Sequence, residues 1–201
     1  MTTPNPRVTE ADADCMFTDR WSPRAFASDP IPVWQVRALF EAARWSPSCF
    51  NEQPCRFVYA LTEEARALFA SVLAAKNQAW ASRAPLLVFV IARVKFAHGG
   101  KPNRHAVFDA GAAWMSLALQ ARRFGLYAHA MAGFSEEKAR EILGVSKDEY
   151  HVMAAVAVGR RGDPAVLPDD LKQIEAPNER NPLGEVAAEF GDVGRFKLQI
   201  V

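Results

Sequence analysis

A single α+β domain is what the sequence predicts, and three observations carry that prediction. Helix-like and strand-like segments alternate along the chain with no linker between them. The run Pro85–Ala92 is apolar at every position, which suits a central strand whose sheet is covered on both faces. The 201 residues, half of them hydrophobic and a tenth aromatic, are enough for one domain with a real core.

The elements follow in order. Thr9 to Asp19 reads as a short opening helix. Pro32 sits just inside a second helix, where its missing N–H costs nothing, and Val33, Val36, Leu39, Phe40 and Ala43 give that helix one apolar stripe. Arg56 to Leu61 is a strand bounded by Pro54 and Thr62. Thr62 caps the next helix, with Glu63 and Glu64 in the turn where the dipole favours negative charge. Ala65, Leu68, Phe69, Val72 and Leu73 keep its stripe. After the strand Pro85–Ala92 and a turn at Gly99–Asn103 comes a long helix from His105 to Phe124, ended by Gly125. Its small residues Ala110, Gly111, Ala112, Ala113, Ser116, Ala118 and Ala121 let another helix approach closely, which marks it as central and as a candidate subunit interface. Tyr127–Ala132 and His151–Val158 are further strands, separated by a helix opening at Ser135. Beyond Gly159, prolines at 164, 168, 177 and 182 punctuate a tail with few apolar residues. Such a tail is disordered, or an arm over its own subunit, or an arm over a partner. The strand-like alternation of Phe196–Val201 is too apolar for a free end and favours an arm.

Several function classes are disfavoured. A formal net charge of +1 gives no electrostatic reason to expect nucleic acid or an anionic membrane as partner. No uninterrupted apolar run reaches the length of a membrane span, and Met1–Ala13 lacks the apolar core of a signal peptide. Cys15, Cys49 and Cys55 cannot all pair, so a reducing cytoplasm is the plain expectation. The four histidines show no metal spacing, and the hydrolase elbow and the dinucleotide-binding glycine fingerprint are both absent.

Two runs carry the chemistry. Arg20-Trp21-Ser22-Pro23-Arg24-Ala25-Phe26 sets two guanidinium groups and a hydroxyl at alternate positions, and each guanidinium is a planar fork of donors suited to phosphate. Ser46-Pro47-Ser48-Cys49-Phe50-Asn51-Glu52-Gln53-Pro54-Cys55-Arg56-Phe57 is a loop of small, polar and proline residues feeding a strand. Charge held by the first run and a ring edge read by the second suit a phosphorylated, planar ligand. Taken singly, arginines in a surface loop are usually solvated or weakly paired, and Ser46-Pro47-Ser48 is an ordinary helix terminus and turn. Their joint order and spacing resembles the FMN-dependent nitroreductase family. The likeness extends from about Asp14 to Val186 and includes the helix start Asp109-Ala110-Gly111-Ala112-Ala113, Gly125-Leu126 and Ala157-Val158-Gly159.

The resemblance implies a central, mostly antiparallel sheet flanked by helices, with a C-terminal arm reaching over the partner of a homodimer. It implies FMN at the subunit interface, NADH or NADPH as transient co-substrate, and a small electrophilic acceptor such as a nitroaromatic or quinone, reduced by a ping-pong mechanism. Arg20, Ser22 and Arg24 would hold the FMN phosphate. Pro47, Ser48 and Cys49 would border the isoalloxazine edge of the partner's flavin, with Asn51 and Gln53 supporting that loop. Backbone N–H groups near Ala132 and Gly133 would face the flavin ring, and either Arg161 or Arg180 would add a late phosphate contact. The flavin carries the chemistry, so no side chain is assigned as catalytic. Cys55 stands where many relatives have an aromatic residue, and the stretch from Asn77 to Arg104 is too short for the helical lid of some relatives. The alternatives are a non-catalytic FMN-binding or sensing protein and a substrate-specific flavin dehydrogenase or dehalogenase on the same fold.

Overall fold

Strand β2 (Leu86–Arg93) is where the two hydrophobic layers of the protein meet in the computed structural model, which describes residues 5–190. Successive side chains of a strand point to opposite faces. Leu86, Val88 and Val90 enter one layer, and Leu87, Phe89 and Ile91 the other. Strands β1 (Cys55–Ala60) and β4 (Tyr150–Gly159) flank β2, and β3 (Tyr127–Met131) lies outside β4. The order is β1-β2-β4-β3, and every pair is antiparallel. Helices α2 (Val33–Arg44) and α5 (Ala106–Arg123) cover the Val88 layer. Helices α3 (Glu63–Ser71), α4 (Ala75–Ala81) and α6 (Glu136–Leu143) cover the Phe89 layer. The α+β class and the doubly covered central strand are as the sequence predicts. No helix among the described residues is long and apolar enough to cross a membrane.

Local chemistry sets the boundaries. Thr62 caps α3 by accepting the N–H of Ala65, and Ser135 caps α6 by accepting that of Lys138. The chain leaves α5 through Gly125 at φ 69°, a left-handed conformation that glycine adopts without a Cβ penalty. The opening helix is shorter than expected: α1 is Cys15–Asp19, because the Asp14 carboxylate accepts the N–H of Met16 and starts the helix there. Pro32 is the residue before α2 rather than its first turn. The stripe read as one helix through Leu73 breaks after Ser71. Val72 and Leu73 stay buried while Leu73 bridges to Phe134, and α4 then begins as a separate element.

The small residues of α5 divide between two sides of the helix. Ala110, Ala113, Ala118 and Ala121 are buried inside the chain, and the last three pack with Val36, Leu39 and Ala43 of α2 in the layer over the sheet. These four residues therefore serve packing within the subunit, whereas Gly111 is exposed and Ala112 and Ser116 are partly so. What α5 shows outward is Val107 and Phe108, the latter 80 % exposed. The proline-rich tail also gives more to the core than its composition suggests. Leu167 and Leu171, the latter in α7 (Asp169–Lys172), are fully buried against the Phe89 layer. A last short helix, α8, spans Leu183–Val186. The expected arm Phe196–Val201 lies outside the described residues.

The run from Arg20 to Phe26 is sewn to the end of β4. Gly162 N–H donates to Ala25 O at 2.7 Å, and Ala27 N–H donates to Arg160 O at 3.0 Å. Phe26 stacks on Trp80 with ring centroids 6.1 Å apart. A Cβ at Gly162 would meet Phe26 C and Ala27 N at 2.8 Å, main-chain atoms that cannot swing aside. Gly162→Ala is therefore expected to destabilise by about 1–3 kcal/mol, the usual cost of overpacking. Thermal unfolding checks this against Gly184→Ala, where nothing lies within 4 Å of the added methyl and little change is expected.

Candidate functional site

Because the run emerges next to β3 and under the tail, its alternate side chains line one cavity of about 360 Å³. Its walls are Arg20, Trp21, Ser22 and Arg24 from the run, His129 from β3, and Ile174, Ala176, Asn178 and Arg180 from the tail. Three guanidinium groups thus face one space, and among the described residues none of them has an ion-pair partner. Arg20 is half-buried, and its pKa is lowered first by burial and then by the like charges of Arg180 and Arg7. Its Nη1 reaches Ser22 Oγ at 3.4 Å. Such concentrated positive charge, with planar donors and a hydroxyl, suits an oxyanion with several acceptor oxygens, such as a phosphate.

The tail segment 174–180 forms one wall of the cavity and is held from both ends. The Glu175 carboxylate, 7 % exposed, accepts the N–H of Arg24 on both oxygens at 2.9 Å and that of Ala25 on Oε1 at 2.9 Å. At the other end, Arg7 donates through Nε to Asn178 O at 2.7 Å and through Nη2 to Asn178 Oδ1 at 2.8 Å. Its Nη1 donates to the carbonyls of Thr18 (3.0 Å) and Arg20 (2.9 Å). Neither Glu175 nor Arg7 stood out in the sequence. An acidic residue in a proline-rich tail and an arginine near the N-terminus read as solvated, and no spacing rule links them to Arg24 or Asn178.

Between the late arginines, the structure makes a distinction. Arg180 lines the cavity, whereas Arg161 sits over the Trp21 ring at 5.3 Å and its main chain bridges to Phe26. His129, also unassigned from sequence, lies between the run and the core. Its ring packs on Trp80 at 4.6 Å, and Nδ1 is 2.9 Å from Pro23 O. A carbonyl only accepts, so Nδ1 carries the proton. Burial pushes the His129 pKa down to about 4, helped by Arg24 and Arg20 and opposed by the Pro23 hydrogen bond. Ala132 and Gly133 follow at the end of β3. Gly133 O accepts from Ala74 N (2.9 Å) and Asn77 Nδ2 (3.0 Å), and a Cβ on Gly133 would lie 2.7 Å from that Nδ2.

The proline-serine loop lies elsewhere. It leaves the C-terminus of α2 and is anchored to α5, with Ser46 Oγ 2.7 Å from Ser116 Oγ and Cys49 N–H donating to Asp109 Oδ2 at 3.1 Å. Ser48 Oγ accepts the Gln53 N–H at 2.9 Å, and the Gln53 amide donates to Asn51 O at 3.1 Å. Phe50, Asn51 and Gln53 all have positive φ (53°, 56° and 48°), a costly conformation for side chains other than glycine. Pro47, Ser48 and Gln53 line a second cavity of about 330 Å³ with Phe40, Cys55 and Asp109. Burial pushes the Cys55 thiol up to about 12, as befits a small packing residue. This cavity shares no lining residue with the arginine cavity. Within one chain, Arg20, Ser22, Arg24 and Arg180 come together, and Pro47, Ser48, Cys49, Asn51 and Gln53 form a separate group.

Comparison with known proteins bears on the family and the fold. A model of the nitroreductase family matches residues 17–160. A protein of Streptomyces coelicolor, provisionally named an NADH dehydrogenase/NAD(P)H nitroreductase, is 28% identical over 179 residues, covering 79% of this chain and 89% of the relative. A solved structure described as an oxidoreductase containing FMN is 44% identical, with a TM-score of 0.89 over 98% of this chain and 99% of that one. A nitroreductase-type structure in complex with FMN from Exiguobacterium sibiricum, 21% identical with a TM-score of 0.70, covers 90% of this chain and 100% of that one and bears on the fold.

His129 generates a pH prediction. The unfolded chain takes up the imidazole proton below about 6.5, the folded chain only below about 4. Between those values the unfolded state binds more protons, so stability rises with pH across that window and is lost as pH falls through it. From pH 7 to pH 5 this group is expected to cost about 2 kcal/mol. His129→Asn keeps a donor near Pro23 O and removes the titration, so its melting temperature should fall less than the wild type's over the same interval. Equal falls would remove His129 as the cause.

Proposed function

The chain belongs to the nitroreductase family, and from that premise we propose that it is an FMN-dependent oxidoreductase that uses NAD(P)H to reduce a small electrophilic acceptor, a nitroaromatic or quinone, in two alternating half-reactions. The observation that carries this reading is the cavity in which Arg20, Ser22, Arg24 and Arg180 converge without an ion-pair partner among the described residues. A phosphate monoester fits that donor set. When bound, FMN supplies the redox chemistry that no side chain of this protein can supply. The protein's part is to hold and orient: Arg20, Arg24 and Arg180 neutralise the phosphate, and Ser22 adds a hydroxyl. The end of β3 at Ala132 and Gly133 offers main chain with little side-chain bulk to the ring.

The loop from Pro47 to Gln53 completes the site from a second copy of the chain. Two observations support that assignment. The loop's cavity is separate from the arginine cavity of its own chain. Large apolar side chains also stand exposed on and beside α2 and α5, namely Val33, Trp34, Trp45, Val107 and Phe108. A set of that size marks an interaction surface, and a two-fold dimer is the simplest closed form.

Three outcomes test the reading. Arg24→Ala should weaken FMN about ten- to a hundredfold, from the loss of one charge-assisted contact, with an unchanged far-UV spectrum. Wild-type affinity would remove Arg24 from the site. Mixing the FMN-loaded protein with NADH or NADPH should bleach the visible flavin band rapidly, and absence of bleaching with both would favour a flavin-binding protein without this activity. Phe108→Arg should yield monomers in sedimentation that lose flavin, and a flavin-loaded dimer in that variant would exclude the α5 surface from the interface.

A further inference from the structure

We infer that Glu175 is a positioning residue for the phosphate site: by holding the main chain of Arg24 and Ala25 against the tail segment, it sets the arginines for a phosphate without neutralising them. The inference rests on the reading of the arginine cavity as the phosphate site.

The argument starts from an unusual allocation of charge. Glu175 is one of the few buried charged residues, 7 % exposed, in a region with three guanidinium groups. A carboxylate there would ordinarily form a bidentate pair with one of them. Such a pair would close the cavity to an anionic ligand. Instead both oxygens are committed to main chain: Oε1 to the N–H groups of Arg24 and Ala25 and Oε2 to that of Arg24, each at 2.9 Å. Among the described residues Glu175 makes no ion pair, and the three forks carry no carboxylate, although Arg180 Nη1 donates to Asn178 Oδ1 at 3.1 Å and Glu179 O at 2.8 Å.

Geometry makes the contact consequential. Arg24 reaches the cavity while its own N–H points back to Glu175, so a shift of that carboxylate moves the Arg24 Cα and its fork together. Five residues on, the same segment carries Arg180 into the cavity, and Arg7 pins its middle at Asn178. Glu175 and Arg7 thus fix the relative placement of Arg24 and Arg180, which come from sequence positions more than 150 residues apart. Like-charged groups do not hold that arrangement by themselves. The Glu175 hydrogen bonds to main chain hold the chain beneath them, and they place no carboxylate on the forks.

The test separates phosphate positioning from general stability by using riboflavin, which has the ring and ribityl chain of FMN but no phosphate. Glu175→Gln is isosteric but places an NH₂ group where one set of N–H donors points. FMN affinity should fall by about tenfold or more, with riboflavin affinity within about threefold of wild type. Glu175→Asp, which keeps the charge and shortens the reach, should show the same pattern, and so provides the reading if the Gln variant does not fold. Inorganic phosphate should compete with FMN more weakly in both variants. Equal weakening of FMN and riboflavin would overturn the inference, since a merely structural residue has that effect, and so would an unchanged FMN-to-riboflavin ratio. Arg20→Ala measured alongside distinguishes the two levels. If its ratio is also unchanged, the cavity is not the phosphate site. If its ratio collapses while that of Glu175→Gln does not, only the role of Glu175 fails.

Discussion

Like charges brought together inside a protein raise its free energy until an opposite charge arrives, and that constraint organises this molecule. Arg7, Arg20 and Arg180 lie close enough to lower the pKa of Arg20 on top of its burial, although at partly solvated positions each such pair interaction is modest. The arrangement is held by groups that do not discharge it. Arg7 is occupied by carbonyls and an amide oxygen, Glu175 by main-chain N–H groups, and Arg161 by the face of Trp21. Every one of these contacts fixes a guanidinium or the chain beneath it, and none supplies a carboxylate to a fork that faces the cavity. In the function proposed above, the phosphate offsets the electrostatic cost of this cluster. Binding energy realised in that way needs little rearrangement of the protein.

Holding such a cluster requires a support that does not give way, and the sheet provides it. Burial on both faces leaves β2 and the second half of β4, Ala155–Gly159, with almost no exposed surface, with Val88 and Val156, Leu87 and Ala157 in direct register. The run from Trp21 to Phe26 is attached to the elements around that slab, to β3, to α4 and to the chain just beyond β4. Trp21 meets Tyr127 edge-on, Phe26 stacks on Trp80, and the main chain pairs at Gly162. His129 adds a fourth contact, reaching from β3 to Pro23 O. Its neutral imidazole suits the place, since a cation there would join three guanidiniums. The rigidity of the core thus reaches the arginines through neutral aromatic and main-chain contacts.

What could be read from the sequence follows from how local each signal is. The apolar run of β2, the caps Thr62 and Ser135 and the terminator Gly125 are short-range, and the structure shows all of them. The start of α1 was misplaced because Thr9 and Asp14 are both capping residue types, and only Asp14 precedes residues that turn. The small residues of α5 suggested close helix approach correctly, but α2 of the same chain takes that contact. Arg20, Ser22 and Arg24 were visible because alternation in an extended run puts them on one side. Glu175, Arg7 and His129 were not, because each acts on a main-chain atom distant in sequence. Arg161 and Arg180 are equivalent by composition, and only the bridge of Arg161 to Phe26 turns one to an indole and leaves the other to the cavity.

The proline-serine loop shows the same economy in its backbone. Three residues other than glycine with positive φ within four positions each cost of the order of 1 kcal/mol or more. The surroundings over-determine them. Ser48 Oγ takes the Gln53 N–H, Asp109 takes that of Cys49, and Glu52 accepts from Arg93 Nη2 at 2.7 Å and Ala97 N at 2.8 Å. Glu52 and Arg93 are both largely buried, so this pair resists salt and solvent better than a surface pair. These hydrogen bonds hold the strained backbone from several sides. Its side chains Pro47, Ser48 and Cys49 are presented by a frame attached to α5, while Phe50 projects into solvent, 89 % exposed. A frame of that kind does nothing for its own chain's arginine cavity, which lies elsewhere. In the dimer proposed above, that strain is preparation for the site of a second copy of the chain.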